Sequence, residues 1–566
     1  QPEFAFQFES AFGALAHFGI PFRVADLAMG SPTGELLYGC RAAIIFQEHI
    51  GARLGRAGTA ALLRATEEGM GLVNFDSDLD GYGDEFLHAV GLKGAGRSGE
   101  VVTGGTQALH VRDNSHPITW WQDGDTRKIL RGPVPTTLVR MRLPGGAVLL
   151  EDADGAPMLF GKPLGRGKVV QWLVSPKIWL RQHFGHTFGL DDVWLRSITW
   201  AARKPFVMKA MPPFVRFRFD DCRGLWRDAG DFAFVEVLNE ARHVPSLCFC
   251  LRAVTAAGAA KVNELYRAGK AEFAPHTLAP STSLFYGDDG GEYDPQRFVA
   301  LFREMDQTLD RLGIRPSRIL SDHDHSWSVH AIPGLVARGM TYKMNITMPG
   351  EPWEAVHHDW HPAPYGSMDY AFDFLPGPAK DFFVVYNHYP PAFESARTYV
   401  DQDHFLYHRT GGYGAYKWDI LNSLTRGSVW AENQVKAAAR RLADHTRLGL
   451  DAMFFGGSIT HSHFIQHLTD GEWREILRGA DALMPRHRYE GVAYDFIADY
   501  ARSKVQTVIL AAEEVGGDVT VELAGEALVP LRLYVFTDRD GAEHRFEYTG
   551  PFKGRATVRF ATRRNS

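Results

Sequence analysis

Along residues 1–205, short apolar runs alternate with amphipathic stretches. Runs at 43–46, 71–75 and 168–173 read as buried strands, while 56–68 and 191–202 carry helical spacing. Together they predict an α/β domain. After the Pro-rich step Met211-Pro212-Pro213 the alternation resumes and is more regular. Strands are expected at 215–219, 246–251, 272–275, 318–321, 342–346, 382–386 and 451–455. Helices are expected between them at 231–242, 257–268, 294–312, 329–338 and 433–447. That succession predicts a β/α barrel, distorted in part, over 206–504. From 505 to 566 the period changes to two, and Asp538-Arg539-Asp540-Gly541 carries a hairpin signal between two such runs. A small β-sandwich or sheet, serving as an accessory domain, is expected there.

Composition narrows the class without naming a function. Of the 566 residues, 45% are hydrophobic and 12% aromatic, which suits several well-packed cores. The net charge of −6, with no long basic block, argues against nucleic-acid binding. No run approaches the length needed to span a bilayer, so no transmembrane segment is expected. The chain opens on Gln1 rather than methionine, which leaves a removed leader and a trimmed start both open. Cys40, Cys222, Cys248 and Cys250 form neither a disulfide framework nor a zinc-knuckle spacing. Histidine is the more informative residue: fourteen of the 24 fall between His276 and His467, so the chemistry is expected in that part of the chain.

In β/α barrels the working side chains follow the carboxyl ends of the strands. Reading just past each expected strand gives Asp220 and Asp221, His276, Asp322 with His323, Asn387 with His388, and His461 with His463. Adjacent carboxylates repel, so a pair at a strand end suits a site where one binds a cation and the other acts as a base. Arg218 stands two residues before Asp220 and is placed to orient a carboxylate or contact an anionic substrate. His325 and Trp327 extend the segment after Asp322. Trp360 lies in a His-rich, Pro-rich loop dense in ligand-capable residues. Phe75-Asp76-Ser77-Asp78, at an earlier strand end, reads as a turn and helix-cap cluster.

Two resemblances sharpen this reading. Cys40–His49, Gly69–Asp78, Gly165–Ser175 and the run Asp191–Pro205 resemble the flavodoxin-like domain of the glutamine-amidotransferase and ThuA-like group. That group carries its cysteine nucleophile on a strand-to-helix elbow. Cys40 precedes its strand, so the domain is read as non-catalytic. Phe219-Asp220-Asp221 resembles the first motif of the NodB-homology polysaccharide deacetylases. His276-Thr277 resembles the first half of the second motif, with Pro280 where its second histidine would stand. Ile459-Thr460-His461 resembles the last motif. The resemblance implies a metal-dependent hydrolase that removes an acyl group, N-acetyl above all, from a carbohydrate or polysaccharide. Asp220 would be the general base and His461 the acid. Asp221 and His276 would hold a divalent cation, zinc foremost, with His323 as provisional third ligand. Arg218, Asp322, His325, Trp327, Trp360, His388 and His463 would contact substrate.

Two rivals stay open: a glycoside hydrolase pairing Asp220 with Asp322 or Asp324, and an inactive carbohydrate-binding protein, for which Pro280 speaks. A polymeric substrate would imply a secreted or periplasmic location over a cytoplasmic one. The first domain could serve as the assembly surface of a homo-oligomer.

Overall fold

The computed structural model describes residues 11–561 except 31, 33, 93–105, 123–126, 135–146, 181–182, 187–188, 223–231, 280–282, 288–289, 321–327, 329, 345–382, 386–428, 452, 454–455, 462–468 and 538–544. The described residues fall into two compact units. One holds those from 11 to 210 with those from 506 to 561, and the other those from 211 to 505. Among them no helix is long and apolar enough to cross a membrane.

The first unit opens on a seven-stranded mixed sheet. Its strands are β1 (Ala42–Ile45), β2 (Gly71–Asn74), β3 (Thr106–Val111), β4 (Arg127–Val134), β5 (Ala147–Asp152), β6 (Pro157–Leu164) and β7 (Gly167–Trp172), in the order β1-β2-β7-β6-β5-β3-β4. The run β1-β2-β7 is parallel, as in a flavodoxin-like sheet. From β7 to β4 every pairing is antiparallel, which the sequence reading did not anticipate. A two-residue turn, Gly165-Arg166, joins β6 to β7, and Gly165 has φ +58 with no room for a Cβ against the Glu67 backbone. So short a link forces antiparallel pairing. Helices cover both faces of the parallel part. Ile50–Glu67 and Gly83–Ala89 pack with Ile45, Leu72 and Val169 on one face. On the other face Trp194, from the helix Asp191–Ala201, meets Phe46 and Phe75 at ring distances of 6.2 Å. β8 (Phe206–Met208) ends this stretch.

The second unit is built on parallel strands. β9 (Phe214–Cys222), β10 (Ser246–Cys250), β11 (Glu272–Thr277), β12 (Ile319–Leu320), β13 (Tyr342–Met344), β14 (Phe383–Val385) and β15 (Gly456–His461) form two sheets, ordered β11-β10-β9-β15 and β12-β13-β14. A short β16 (Glu490–Gly491) also pairs with β9. Every pairing is parallel. The Ser317 N–H donates to the Phe273 carbonyl at 2.6 Å, which carries the succession from β11 to the edge of the second sheet. Among the described residues the two sheets do not close into a barrel.

The helices follow from local signals. Pro295–Leu312 begins with Asp294 accepting the Arg297 N–H at 2.7 Å and with Pro295 in the first turn. It ends at Gly313 in the left-handed region, φ +67. Its Phe298, Leu301, Phe302, Met305, Leu309 and Leu312 are buried at three- and four-residue spacing.

One expectation is corrected here. Of the strand expected at 451–455, Asp451 is the end of a helix and Met453 a turn, while 452, 454 and 455 lie outside the described residues. Helix Val429–Asp451 runs on to that point, and the strand lies farther along at Gly456–His461. The helix persists because Ala438, Leu442 and Leu450 join the apolar core on one stripe, while Asp451 at its end pairs with His487 at 2.7 Å. His461 is therefore the last residue of its strand and does not follow it.

The C-terminal strands β17 (Thr507–Val515), β18 (Asp518–Ala527), β19 (Arg532–Phe536), β20 (Arg545–Tyr548) and β21 (Phe552–Ala561) form two three-stranded sheets, β17-β18-β21 and β20-β19-β8. Val519, Val521, Leu523 and Phe560 of the first share a core with Val207, Leu533 and Val535 of the second. β8 thus completes a sheet otherwise made by the end of the chain. The hairpin signal at 538–541 lies outside the described residues, though β19 and β20 on either side are paired antiparallel.

The amino ends of β11, β12 and β13 are tied to helix Tyr494–Val505 by a polar network. Glu272 accepts the N–H of Tyr494 at 2.6 Å and of Asp495 at 3.3 Å. Asp495 accepts the Arg318 N–H at 3.0 Å, and Arg318 forks onto Asp499 at 2.8 and 2.6 Å. Burial first, and then the neighbouring Asp495, push the Glu272 carboxyl up to about 8 from 4.5, against those two N–H bonds. A raised acid stabilises the fold fully below its unfolded value, and that contribution falls away as pH climbs through the folded value. Urea midpoints should therefore drop between pH 5 and pH 8.5, and Glu272→Gln should flatten that drop. An unchanged slope in the variant would remove Glu272 as its source.

Candidate active site

β9 has the sequence Phe-Val-Arg-Phe-Arg-Phe-Asp-Asp-Cys, and its two faces differ sharply. Val215, Phe217 and Phe219 enter the main apolar core. The residues between them, Arg216, Arg218 and Asp220, are also buried, at 2%, 1% and 4% exposure. Period-two alternation puts these three on one face. Arg218 Nε donates to Asp220 Oδ1 at 2.5 Å, a charge-assisted bond between two buried groups. The Arg216 guanidinium lies 4.2 Å from the centroid of the Tyr494 ring. Burial pushes the Tyr494 phenol up, while Arg216 and Arg218 oppose that shift. Cys248 and Asp220 also act on it electrostatically, so the phenol sits within the same charged cluster.

The strand ends are irregular where the chemistry is expected. β10 pairs with β9 as Leu247↔Phe219 and then Phe249↔Cys222, so Asp220 and Asp221 together oppose the single residue Cys248. β10 pairs with β11 as Phe249↔Pro275 and then Cys250↔Thr277, so His276 is the extra residue there. Bulges re-aim side chains and recur beside active sites. Here two adjacent pairings each carry one, at the carboxyl ends, on residues able to act as base or ligand. On the other side β15 runs in register with β9, and His461 is the partner of Asp220.

Asp220, His276 and the backbone of His461 are therefore brought to one end of a single sheet. His276 is 2% exposed. Asp221 belongs to β9, but its side chain, like that of His461, lies outside the described residues. So do Asp322, His323, His325, Trp327, Trp360, His388 and His463, and Pro280 with them. Among the described residues no group of three His, Cys, Asp or Glu side chains is arranged to hold a metal ion. Tyr494 is the member of the cluster that strand-end reading passed over. The alternation of β9 signalled Arg216. Tyr494 sits in a helical stretch more than 270 positions from β9, and nothing local marks it.

No protein-family model matches the chain, and no curated protein matches its sequence. Solved structures with some likeness include a cytoplasmic protein from Salmonella typhimurium, 13% identical, with a TM-score of 0.27 over 34% of this chain and 88% of the other. A candidate ThuA-like protein from Bacteroides uniformis is 12% identical, with a TM-score of 0.23 over 31% and 74%. A candidate polysaccharide deacetylase from Mycobacterium smegmatis is 13% identical, with a TM-score of 0.31 over 52% and 95%. Likeness this distant says nothing about a site or a substrate.

Removing one member of a buried ion pair strands the other, at a cost of about 3–5 kcal/mol. Arg218→Met and Asp220→Asn should each lower unfolding stability on that scale. The double variant should lose much less than the sum of the two. Denaturant titration of the four proteins checks this, and additive losses would mean that the pair is not coupled.

Proposed function

We propose that this chain is a hydrolase acting on carbohydrate, and that its reaction is removal of an acyl group from a sugar nitrogen. The observation that carries the reading is the carboxyl end of β9: a bulge holds Asp220 and Asp221, Arg218 fixes Asp220, and His461 occupies the matching register position on β15.

The chemistry suits these residue types. Asp220 would take a proton from water as its oxygen attacks the amide carbonyl. The tetrahedral intermediate then collapses with cleavage of the C–N bond. The departing nitrogen takes a proton from a histidine, for which His461 is the candidate. Arg218 holds the base in one orientation, because a carboxylate bonded by a guanidinium cannot rotate freely.

A divalent cation, zinc foremost, would supply a Lewis acid toward the carbonyl if bound. The described side chains do not by themselves make a metal set, and no step above is routed through one. Such a set would draw on Asp221, His276 and His323. Carbohydrate is the substrate class proposed for Trp360, Trp327 and His388 as well, and a polymeric substrate would place the protein outside the cytoplasm.

The decisive assay is acetate release from N-acetylated glycans. Asp220→Asn, confirmed folded by circular dichroism, should lose 10²-fold or more in rate, the scale on which a general base contributes. Elemental analysis of wild type, Asp221→Asn and His276→Ala reports separately on the cation. A metal lost in both variants supports those ligands, and full activity in Asp220→Asn would end this assignment.

A further inference from the structure

His243 lies in the second unit between helix Ala233–Glu240 and the amino end of β10. Arg242 before it adopts φ +65, and Asn239 fixes the turn by donating to the His243 carbonyl at 2.9 Å. The His243 N–H donates to the Leu238 carbonyl at 2.9 Å, so the backbone is satisfied. The ring is not. His243 is 3% exposed, and its buried Nδ1 has no hydrogen-bond partner among the described residues. Aromatic rings close it in. Phe217 of β9 meets it edge-on at 4.7 Å, and Tyr489 stacks on it at 5.8 Å. A Cβ on Gly491 would come within 2.8 Å of Nδ1, so the backbone there already packs against the imidazole.

Tyr489 and Gly491 belong to one short segment, 485–491, between helix Asp470–Leu483 and helix Tyr494–Val505. It crosses the amino end of β9 with little regular structure. Its strand β16 is two residues long and pairs with Phe214 and Val215, and the Glu490 N–H donates to the Pro213 carbonyl at 2.9 Å. His487 also holds it by pairing with Asp451 at 2.7 Å, and Tyr489 by donating its hydroxyl to Asp481. A short, largely exposed segment of this kind opens locally before the sheet beneath it does. Its release would reach further, since it leads three residues on into Tyr494, the ring on which Arg216 rests.

A neutral imidazole can sit among rings, whereas an imidazolium there would be a buried charge without a counter-ion. The carboxylates of the surrounding elements are engaged elsewhere. Glu236 pairs with Lys270 at 2.7 Å, Glu240 with Arg474 at 2.8 Å, Asp451 with His487 and Asp481 with Tyr489. Arg242, Arg488 and Glu490 are exposed. On β9, Arg216 and Arg218 alternate with Phe217 and so lie on its other face. Burial is accordingly the one cause that acts on the His243 imidazole, pulling it down to about 4 from 6.5. A depressed base costs the closed state nothing above the unfolded value, and the penalty grows as pH falls from there toward the folded value. We propose that 485–491 is a strap clasped by the neutral His243 ring, and that protonation of this ring releases the strap from the amino end of β9. The device does not rest on the reaction assigned to Asp220.

The test is hydrogen–deuterium exchange on the full chain, read by mass spectrometry and divided by the intrinsic rates at each pH. From pH 7 to pH 5, opening of peptides spanning 485–491 should rise about tenfold or more in wild type, because the open strap accepts a proton that the closed one resists. A peptide from β18, in the other unit, should not follow. His243→Phe keeps a ring that stays neutral, and its strap should change less than about threefold over the same step. Tyr489→Leu removes the stacked face and should raise opening several-fold already at pH 7. Each variant is first confirmed folded by its thermal transition, and the wild-type step with Tyr489→Leu decides the matter if His243→Phe does not fold. Three results would each overturn the proposal: no rise at 485–491 in wild type, the same rise in His243→Phe, or exchange in Tyr489→Leu equal to wild type.

Discussion

β9 must bury charge and hydrocarbon in alternate positions of one nine-residue strand, and that constraint organises the second unit. Val215, Phe217 and Phe219 require an apolar layer on one side, supplied by residues such as Val235, Leu238, Leu247 and Trp473. Arg216, Arg218 and Asp220 require an enclosed polar environment on the other, because an isolated buried charge costs far more than one hydrogen bond returns. The Arg218–Asp220 bond and the Arg216–Tyr494 stack answer that need with groups already in the fold. A single-residue slip of β9 would exchange the two faces, putting arginines into the core and phenylalanines among the charges. Its register is therefore fixed from both sides, and with it the positions of the two aspartates.

The bulges are the second consequence. A strand that ended its pairing regularly would leave Asp220 and Asp221 on opposite faces, with one of them directed toward the apolar layer. Setting both opposite Cys248 relaxes that alternation at the last step. The same device recurs at His276, one pairing away. Two irregularities thus fall side by side at one sheet end, the carboxyl end of β9 to β11. Its opposite, amino end is occupied by Glu272, Arg318, Asp495 and Asp499, a set whose bonds are spent on anchoring a helix.

Legibility in the sequence followed the range of the forces involved. β9, β10 and β11 and the helix Pro295–Leu312 were readable because alternation, caps and apolar spacing are local. The early aspartates and His276 were readable because they stand in the last residues of such strands. A propensity reading started the late strand at Asp451, where the helix still runs, because it gave no weight to Gly456 and Gly457, although pairing with β9 is what makes that glycine-rich segment a strand. Tyr494 and the antiparallel half of the first sheet were not readable either. Both depend on partners distant in sequence, and β8 with β19 is the extreme case, pairing segments more than 320 residues apart.

The two units also differ in how their polar groups are held, and this bears on what each can do. At β9 the charged side chains are almost wholly buried, and Asp220 is the one that stands at the strand's carboxyl end. Beyond β1, β2 and β7 the buried group is Asp76, pushed up to about 6 by burial and working as a brace, while His49 and Lys177 face outward on carboxylates that fix them. Burial there serves rigidity beneath an open surface, whereas at β9 it encloses the ion pair itself. An enclosed carboxylate with one fixed orientation is what the proposed bond cleavage would require. Cys40, the one cysteine in the sequence of the first unit, lies before β1 with its thiol donating to the Leu36 carbonyl at 3.2 Å, so no thiol stands at these strand ends.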